Sequence, residues 1–358
     1  MSLSELRIRI DAIDEQVLDL LSQRANLALD IGHLKAAQGK PAFVPGREMQ
    51  LLERIEQLRK GPLSGTAVRA IYREIISACR NLERPSSVAY LGPEATWSHL
   101  AARQQFGSSA IYEPVRSIGD VFAAVETRRH DYGLVPVENS TAGSVPDTLD
   151  NFMKTSLKVC GEVLYQINFA LLSRETDLSK VRRIYSLPIA TEQCRRWLTD
   201  HLPDIPVDVV TSTAHAAHMA AQEDGAAAIA SPLAGEIHGL NTLMDRIEDS
   251  ARNQTRFLVL GHDGTDPSGR DKTSILFAVP HQPGSLHTVL ECLKEQNINM
   301  TFITSRPTRQ MQWEYVFFID VQGHADEPAL KKALDAMHTR CAFMQVLGSY
   351  PEASVVDA

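Results

Sequence analysis

The 358-residue sequence lacks several features that mark common classes of protein. Its five cysteines are odd in number, far apart and without a C-x-x-C pair, which predicts free thiols in a reducing compartment. No apolar run approaches the roughly 18 residues of a membrane span. The charged N-terminal stretch MSLSELRIRIDAIDEQ also lacks the apolar segment of a signal peptide. These absences predict a cytoplasmic protein with no membrane partner.

A basic excess and the usual cofactor loops are missing as well. The net charge of −8 argues against nucleic acid as a partner. No Gly-rich loop of the P-loop or dinucleotide-binding type is present, so no cofactor is expected. His215 and His218 are one helical turn apart with Glu223 nearby, but no further ligand has suitable spacing. We therefore predict no metal site.

The N-terminal part of the chain has helical periodicity throughout. Apolar side chains repeat every three, four or seven positions to about Ala37, which predicts one long first helix. The stretch GKPAFVPGRE breaks this helix and places Pro45 at the start of a second, and a third covers Ala67 to Leu82. So long a first helix exposes its apolar stripe unless another chain covers it. An intertwined dimer is therefore expected.

After ERPSS the pattern changes to short strands alternating with helices, which predicts an α/β domain. From Lys272 the order becomes strand, helix, strand, strand, helix, strand, with EYVFFIDV as the fourth element. This βαββαβ order is that of ferredoxin-like domains. We expect a multidomain chain with an all-α segment at 1–85, an α/β segment at 86–265 and a ferredoxin-like segment at 270–356.

Three of the cations on the first helix stand out among apolar or neutral neighbours, namely Arg7, Arg24 and Lys35. Arg24 and Lys35 differ in direction by only about 20°, so they share a face. Arg7 lies about 25 Å along the axis from Arg24 and cannot reach a small ligand held by the other two. Arg7 of an antiparallel partner can reach it. Spacing alone favours ordinary surface charge, and the alternative is an anion site shared between protomers.

The helical segment resembles the all-helical chorismate mutases in ELRIRIDAIDEQVLDLLSQR, in the lysine eleven positions later and in GREMQLLERI. The resemblance implies a chorismate-binding set of Arg7, Arg24, Lys35, Arg47, Glu48, Cys79 and Glu83. In that family the counterpart of Lys35 donates to the ether oxygen, and that of Glu48 binds the ring hydroxyl. The reaction needs only a compact substrate conformer and stabilisation of charge on the breaking ether bond.

Three residues depart from the pattern of this family. Glu83 stands where many relatives have glutamine against the ether oxygen, and Val44 and Cys79 replace more polar residues of some relatives. A carboxylate would repel the charge that develops on the ether oxygen. Glu83 is therefore expected to act as a protonated catalytic residue, with mutase activity falling at alkaline pH.

Polar residues also follow three predicted strands in the α/β segment. They lie in LGPEATWSHL, PVENSTAGSV and VTSTAHAA, and a fourth stretch, NQTRFLVLG, places Thr255 and Arg256 before a returning strand. Each of the first three is an ordinary helix cap when taken alone. In an open parallel sheet, however, such strand ends converge on one crevice, where helix N-termini favour anions. Together they predict an anion site.

These motifs stand in the order of the prephenate dehydratases, which the segment resembles. The resemblance implies two α/β lobes, like a type II periplasmic binding protein, with Thr255 assisting departure of the ring hydroxyl. It implies a prephenate-binding set of Thr96, Ser98, Glu138, Asn139, Ser140, Thr141, Ser212, Thr213 and Arg256. Glu138 is either the acid or a structural residue. Leu187 and Phe169 stand where some relatives carry histidine, so histidine catalysis is excluded there.

The C-terminal stretches HQPGSLHTVLECL and MTFITSRP resemble the amino-acid-binding ACT domain. The resemblance implies L-phenylalanine as effector, bound by Gly284, Ser285, Leu286, Ser305, Arg306 and Pro307. Thr304 replaces the glutamate of that family, which affects the contact with the effector's ammonium group.

The order of the three segments resembles the bifunctional chorismate mutase–prephenate dehydratases. This implies that a homodimer with a shared mutase site converts chorismate to prephenate, and prephenate to phenylpyruvate, under feedback by phenylalanine. A non-catalytic amino-acid sensor is the alternative. The TRF motif and the cations on the helices argue against it.

Overall fold

The computed structural model describes residues 1–250, 252–307 and 315–353. The chain forms two compact units, one of Met1–Ser87 with Phe106–Ile111 and the other of Val88–Gln105 with Tyr112–Ala358. Glu314, predicted as the first residue of a strand, and positions 354–356, predicted to end the last domain, lie outside the described residues. Within the described residues, no helix is long and apolar enough to cross a membrane.

Three helices form most of the first unit, as the periodicity predicts. They are α1 (Leu3–Ala37), α2 (Pro45–Leu58) and α3 (Gly65–Glu83). A capping box starts α1, because the Ser2 hydroxyl accepts from the Glu5 N–H and the Glu5 carboxylate accepts from the Ser2 N–H. Proline at its first position starts α2, and the Ser64 side chain caps α3.

Helix α1 contacts α3 along one side, yet Ala28 is its one buried residue. Seven apolar side chains of α1 are each 43% or more exposed: Leu6, Ile10, Ile13, Val17, Leu20, Leu27 and Ile31. The expectation that this stripe is exposed is therefore confirmed for the described residues. So large a row of exposed apolar side chains is typical of an interaction surface.

A second segment, Phe106–Ile111, completes the helical unit, and the sequence did not predict it. The Ser108 N–H donates to the Glu74 carboxylate at 3.0 Å, and the Ile111 N–H donates to a backbone carbonyl after α3. At Gly107 (φ +73°), an added Cβ would lie 2.4 Å from Cβ of Ser77. Only glycine allows the segment this close approach to α3.

The second unit contains three sheets. The first has strand order β2-β1-β3-β11-β5, with β4 paired to β3. Its strands are β1 (Ser87–Leu91), β2 (Ile111–Val115), β3 (Tyr132–Asn139), β4 (Gly143–Ser144), β5 (Lys158–Gln166) and β11 (Gln254–Gly261). Its helices are α4 (Trp97–Phe106), α5 (Ile118–Glu126) and α6 (Pro146–Phe152). Strands β1 and β3 are parallel, whereas β11 runs antiparallel between β3 and β5.

The second sheet has strand order β10-β6-β9-β7-β8. Its strands are β6 (Ala170–Ser173), β7 (Arg183–Ser186), β8 (Val207–Val209), β9 (Ala226–Ala230) and β10 (Asn241–Met244). Its helices are α7 (Pro188–Gln193), α8 (Arg195–His201), α9 (Thr213–Ala220) and α10 (Pro232–His238). The two sheets confirm two α/β lobes, but both are mixed. The polar strand ends therefore do not share one open parallel sheet, since β8 belongs to the second lobe.

The third sheet is the predicted βαββαβ domain, with strand order β13-β14-β12-β15. Its elements are β12 (Asp271–Ala278), α11 (Ser285–Glu295), β13 (Met300–Pro307), β14 (Tyr315–Gln322), α12 (Pro328–Arg340) and β15 (Phe343–Pro351). Both helices cover one face. The other face shares a core with the first sheet, in which Phe318 and Tyr350 join Val159 and Leu258.

Candidate active sites

The first cluster of charged side chains lies between α1 and α3 of the helical unit. The Lys35 ammonium lies 2.8 Å from Oε2 of Glu83 and donates to the Ala42 carbonyl at 3.0 Å. Arg24 donates from Nη1 to the Cys79 sulfur at 2.7 Å. Arg24 and Lys35 thus both face α3, which confirms that they share one side of α1.

A glycine opposite Glu83 brings the two helices together at this cluster. A Cβ added to Gly32 would lie 3.0 Å from Cα of Glu83, which is closer than nearly all side chains pack. The small residue therefore sets the separation of α1 and α3 next to the Lys35–Glu83 pair. Any larger side chain at position 32 would push the pair apart.

Glu48 joins the cluster from the first turn of α2. Its Oε1 lies 2.6 Å from Nη1 of Arg80, a residue that sequence reasoning missed. Burial raises the pKa of Glu48 above its ordinary value, while the charges of Arg80 and Lys35 act in the opposite direction. Arg80 lies only one position after Cys79, but an arginine on a charged helix gave no signal of burial.

Glu83 forms an ion pair with Lys35 in this structure. Its action as a protonated catalytic residue stays a prediction. Arg7 and Arg47 are exposed, and no contact of either with the pair is described. The described structure therefore assembles Arg24, Lys35, Glu48, Cys79 and Glu83 of the predicted set.

The second cluster lies where β3 ends beside β11. The Asn139 amide oxygen accepts from the backbone N–H groups of Thr141 and Ala142 at 3.0 and 2.9 Å. Two backbone donors fix the oxygen on that side, so the NH₂ group faces β11. There it donates to the Thr255 hydroxyl oxygen at 2.8 Å and to Oδ1 of Asn253 at 3.0 Å. The orientation of Asn139 is thereby set by the fold.

This arrangement also orients the half-buried Thr255 hydroxyl. Its oxygen accepts from Asn139, and therefore its own hydrogen must point elsewhere. A hydroxyl that accepts one hydrogen bond is a better donor in the next, because hydrogen bonds in a chain polarise one another. The hydroxyl hydrogen of Thr255 is thus polarised for a further hydrogen bond.

Two further amides in this cluster were not predicted. Gln193, at the end of α7, donates to the Thr141 hydroxyl at 2.7 Å and accepts from the Asn253 amide at 2.9 Å. The Ser140 N–H donates to the Gln254 carbonyl at 2.9 Å, and the Gln254 N–H donates to the Ser140 hydroxyl at 3.0 Å. Gln193 therefore links the second lobe to the Asn139–Thr255 pair. The position of Asn253, two residues before Thr255 on one face, was the available signal.

The other predicted hydroxyls make local bonds. Thr96 donates to the carbonyl oxygens of Leu91 and Pro93, and Ser212 accepts from the His215 N–H as the cap of α9. Ser98 and Thr213 are buried. The hydrogen bonds described for Thr96 and Ser212 close turns and helix starts, and they do not reach Thr255. Their contact with a ligand stays a prediction.

Comparison with known proteins identifies the chain. Three family models match it: chorismate mutase type II over residues 6–84, prephenate dehydratase over 88–265 and the ACT domain over 273–338. The bifunctional chorismate mutase/prephenate dehydratase of Aquifex aeolicus (strain VF5) is 46% identical, over 98% of this chain and 98% of its own length. The chain belongs to the bifunctional chorismate mutase/prephenate dehydratases. It is therefore an enzyme that contains a chorismate mutase domain and a prephenate dehydratase domain.

Solved structures match the dehydratase and ACT fold of this bifunctional family. The prephenate dehydratase from Arthrobacter aurescens, in complex with L-Phe, is 33% identical with a TM-score of 0.70. The match covers 74% of this chain and 90% of that one. GqqA, described as a novel type of quorum quenching acylase, is 31% identical with a TM-score of 0.69. That match covers 75% of this chain and 98% of the other.

In this bifunctional enzyme Arg256 does not join the Asn139–Thr255 cluster. Its guanidinium donates from Nε to Glu162 at 2.7 Å, from Nη1 to Asp320 at 2.5 Å and from Nη2 to the Tyr350 hydroxyl at 2.9 Å. The side chains of Glu162 and Asp320 are fully buried. These donors of Arg256 therefore bind between the dehydratase and ACT sheets. The binding of prephenate by Arg256 stays a prediction, and these contacts do not support it.

Strand register explains why Thr255 and Arg256, which are adjacent in sequence, lie in different clusters. Thr255 pairs with Asn139, and Arg256 pairs with Glu138, so each pair lies on one side of the sheet. Burial raises the pKa of Glu138, and the charge of Arg256 acts against that rise. Glu138 therefore lies with the buried charges on the ACT side. Of its two predicted roles, this placement supports the structural one.

The ACT domain has a pocket of about 200 Å³ at the start of α11. Gly284, Ser285 and Leu286 line it, as predicted for the effector site, together with His281 and Tyr315. Gly284 has φ of +83°, which only glycine adopts without strain.

The other three predicted effector residues are not part of this pocket lining. Arg306 forms a two-pronged ion pair with Asp150 of α6, with N–O distances of 3.1 and 3.3 Å. Ser305 and Pro307 flank Arg306 on β13. Arg306 therefore binds the dehydratase in this structure. Its contact with the effector stays a prediction.

Proposed function

We propose that the α1–α3 cluster binds chorismate and is completed by Arg7 of a second protomer. The observation that carries this proposal is the exposed apolar face of α1 beside an inward-facing Arg24 and Lys35. In the reaction an ether C–O bond breaks and a C–C bond forms, with no group transferred. Lys35 stabilises the charge on the ether oxygen, while Arg24 and Arg47 hold carboxylates.

Mixing two inactive variants tests the shared site. We expect Arg7→Met and Arg24→Met each to lose mutase activity, since each removes a carboxylate contact from every site. Random exchange of protomers makes half the dimers mixed, and each mixed dimer has one intact site, so about a quarter of the wild-type rate should return. The rate of chorismate consumption by the mixture measures this recovery. Arg24→Met put through the same exchange alone is the control and should regain no activity. A mixture of the two variants that stays inactive would mean that each site lies within one chain.

We also propose that Thr255 donates its hydroxyl hydrogen to the departing ring hydroxyl of prephenate. The locked Asn139 amide, which donates to Thr255 at 2.8 Å, carries this assignment. The ring C–O bond and the bond to the ring carboxylate break, CO₂ leaves, and the electrons of the carboxylate bond complete the aromatic ring. The departing oxygen takes the Thr255 proton to leave as water, and a proton from solvent restores the Thr255 hydroxyl. The test is to supply chorismate to the purified enzyme and follow prephenate and phenylpyruvate together.

The ACT pocket supports feedback inhibition by L-phenylalanine. Phenylalanine in the millimolar range is expected to lower the dehydratase rate, as Gly284 and Leu286 line a pocket where the resemblance places this effector. Gly284→Ala should raise the half-inhibitory concentration about 5- to 30-fold. Alanine leaves the positive φ when no effector is bound, so binding must restore a conformation that costs about 1–2 kcal/mol. Gly264→Ala, with open space around its added Cβ, is the matched control. A rate unaffected by phenylalanine would contradict the proposal.

We further propose a cytoplasmic location for the dimer. All five cysteines lie in the described residues and are free, as expected in a reducing compartment. Cell fractionation with an antibody against the chain would test this, and recovery in a secreted fraction would contradict it.

A further inference from the structure

Arg80 is a buried cation that neither the sequence motifs nor the resemblance assigned to any role. It is 4% exposed on α3, and its guanidinium carbon lies 5.2 Å from the ring centroid of Phe43 and 5.4 Å from that of Phe106. Nη1 donates to Oε1 of Glu48 at 2.6 Å, and Nη2 donates to the Phe106 carbonyl. Two aromatic rings and two acceptors thus hold one side chain.

We propose that Arg80 is a positioning residue of the chorismate mutase, which holds the Glu48 carboxylate where it accepts the ring hydroxyl of chorismate. This inference rests on the proposed role of Glu48. A carboxylate has two oxygens, so the contact of Oε1 with Arg80 leaves acceptor capacity for a ligand hydroxyl. Arg80 itself does not touch the substrate.

The surroundings require arginine rather than any cation at this position. A planar guanidinium stacks on aromatic rings and donates in two fixed directions, whereas a lysine ammonium is a compact point charge. Phe43 and Phe106 are themselves in contact, with ring centroids 4.8 Å apart. The rings therefore set the plane of the guanidinium, and the guanidinium sets the position of Glu48.

Charge balance around Glu48 gives Arg80 a second effect. Glu48 faces Arg80 and Glu83 of α3 and Lys35 of α1, and it follows Arg47 on its own helix. Burial raises the pKa of Glu48, Glu83 raises it further, and Arg80 and Lys35 lower it. Without Arg80 the carboxyl group takes up a proton at higher pH. A protonated Glu48 loses the negative charge with which it accepts the hydroxyl.

Mutase kinetics of full-length Arg80→Met across pH test the proposal. We expect kcat/KM for chorismate to fall about 10- to 100-fold, the usual range for losing a hydrogen bond to a charged group. The acid limb of the pH profile should also move to higher pH. In Arg80→Lys the acid limb should return most of the way to its wild-type pH, because the positive charge is kept, whereas kcat/KM should recover less. Arg69 lies on α3 like Arg80 and forms an ion pair with Glu56 of α2. Arg69→Met breaks this pair and should change neither the mutase rate nor the acid limb. Thermal unfolding followed by circular dichroism reports whether the helical unit of each variant is folded.

The Glu48→Gln background separates positioning from a merely structural role. Glutamine does not titrate, so Arg80→Met should shift no acid limb in this background and should cost less there. An equal loss in both backgrounds, or an unmoved acid limb in Arg80→Met and Arg80→Lys, would overturn the role of Arg80. Full mutase activity of Glu48→Gln alone would instead overturn the proposed role of Glu48, and with it this inference.

Discussion

Replacing Thr255 by valine is expected to lower the prephenate dehydratase rate by about 10²- to 10⁴-fold, the usual contribution of a positioned proton donor. The mutase lies in the other compact unit and should keep its rate. Chorismate supplied to this variant should therefore stop at prephenate. The wild-type enzyme should continue to phenylpyruvate under the same conditions.

The size of the effect follows from the geometry around Asn139. Valine has the shape of threonine but no hydroxyl, so the variant removes the donor without opening a cavity. Asn139 would still donate to Asn253 and to the Gln254 carbonyl, at 3.0 and 3.2 Å. The backbone bonds that fix its oxygen are also unaffected. The loss is thus expected in the chemical step rather than in folding.

Two further variants control this experiment. Thr255→Ser keeps the hydroxyl and should retain most of the rate. Thr199→Val removes a hydroxyl that donates to the Arg195 carbonyl within α8, and it should leave both activities unaltered. A normal dehydratase rate in Thr255→Val would assign proton donation to another group. A loss in Thr255→Val accompanied by loss of the mutase would indicate misfolding instead.

Periodicity and capping chemistry predicted the local structure well. The 3.6-residue repeat placed Arg24 and Lys35 on one face of α1, and both contact α3 as expected. Pro45 marked the start of α2, and the Ser212 cap marked the start of α9. These features depend on residues that are close in sequence, so the sequence carries enough information to predict them.

Contacts between segments that are distant in sequence could not be predicted from the sequence. Thr255 and Arg256 stand together in the TRF motif, but alternation along β11 sends them to opposite faces. The position of the Arg256 guanidinium depends on Asp320, which lies 64 positions away in another domain. Likewise the burial of Arg80 depends on Phe106. A family motif identifies such residues as important without showing which neighbour they bind.

Replacing Arg256 by methionine is expected to destabilise the second compact unit by about 3–5 kcal/mol, the usual cost of breaking a buried ion pair from one side. The carboxylates of Glu162 and Asp320 would remain buried without their main partner. Lys272, at 2.9 Å from Glu162, would compensate for one of them in part. Asp320 would keep only neutral donors, Ser274 and Tyr350.

Hydrogen exchange measures this loss where it occurs, since the free energy of local opening is read amide by amide. Amides of β11 and β14 should exchange faster by a factor that corresponds to the lost stability. Arg270→Met is the matched control, because Arg270 is 63% exposed and surface ion pairs contribute about 0–1 kcal/mol. Adding Asp320→Asn to Arg256→Met should recover part of the protection by removing the stranded charge.

The same network predicts a change in acid stability. Burial alone would raise the pKa of Glu162, but Arg256 and Lys272 outweigh it and hold the pKa below its ordinary value. A carboxylate with a lowered pKa stabilises the fold fully above the unfolded value of about 4.3, and this contribution is lost as pH falls through the folded value. Without Arg256 the lowering shrinks, so acid unfolding should begin at higher pH. Identical acid transitions in Arg256→Met and the wild-type enzyme would show that Lys272 alone keeps Glu162 ionised.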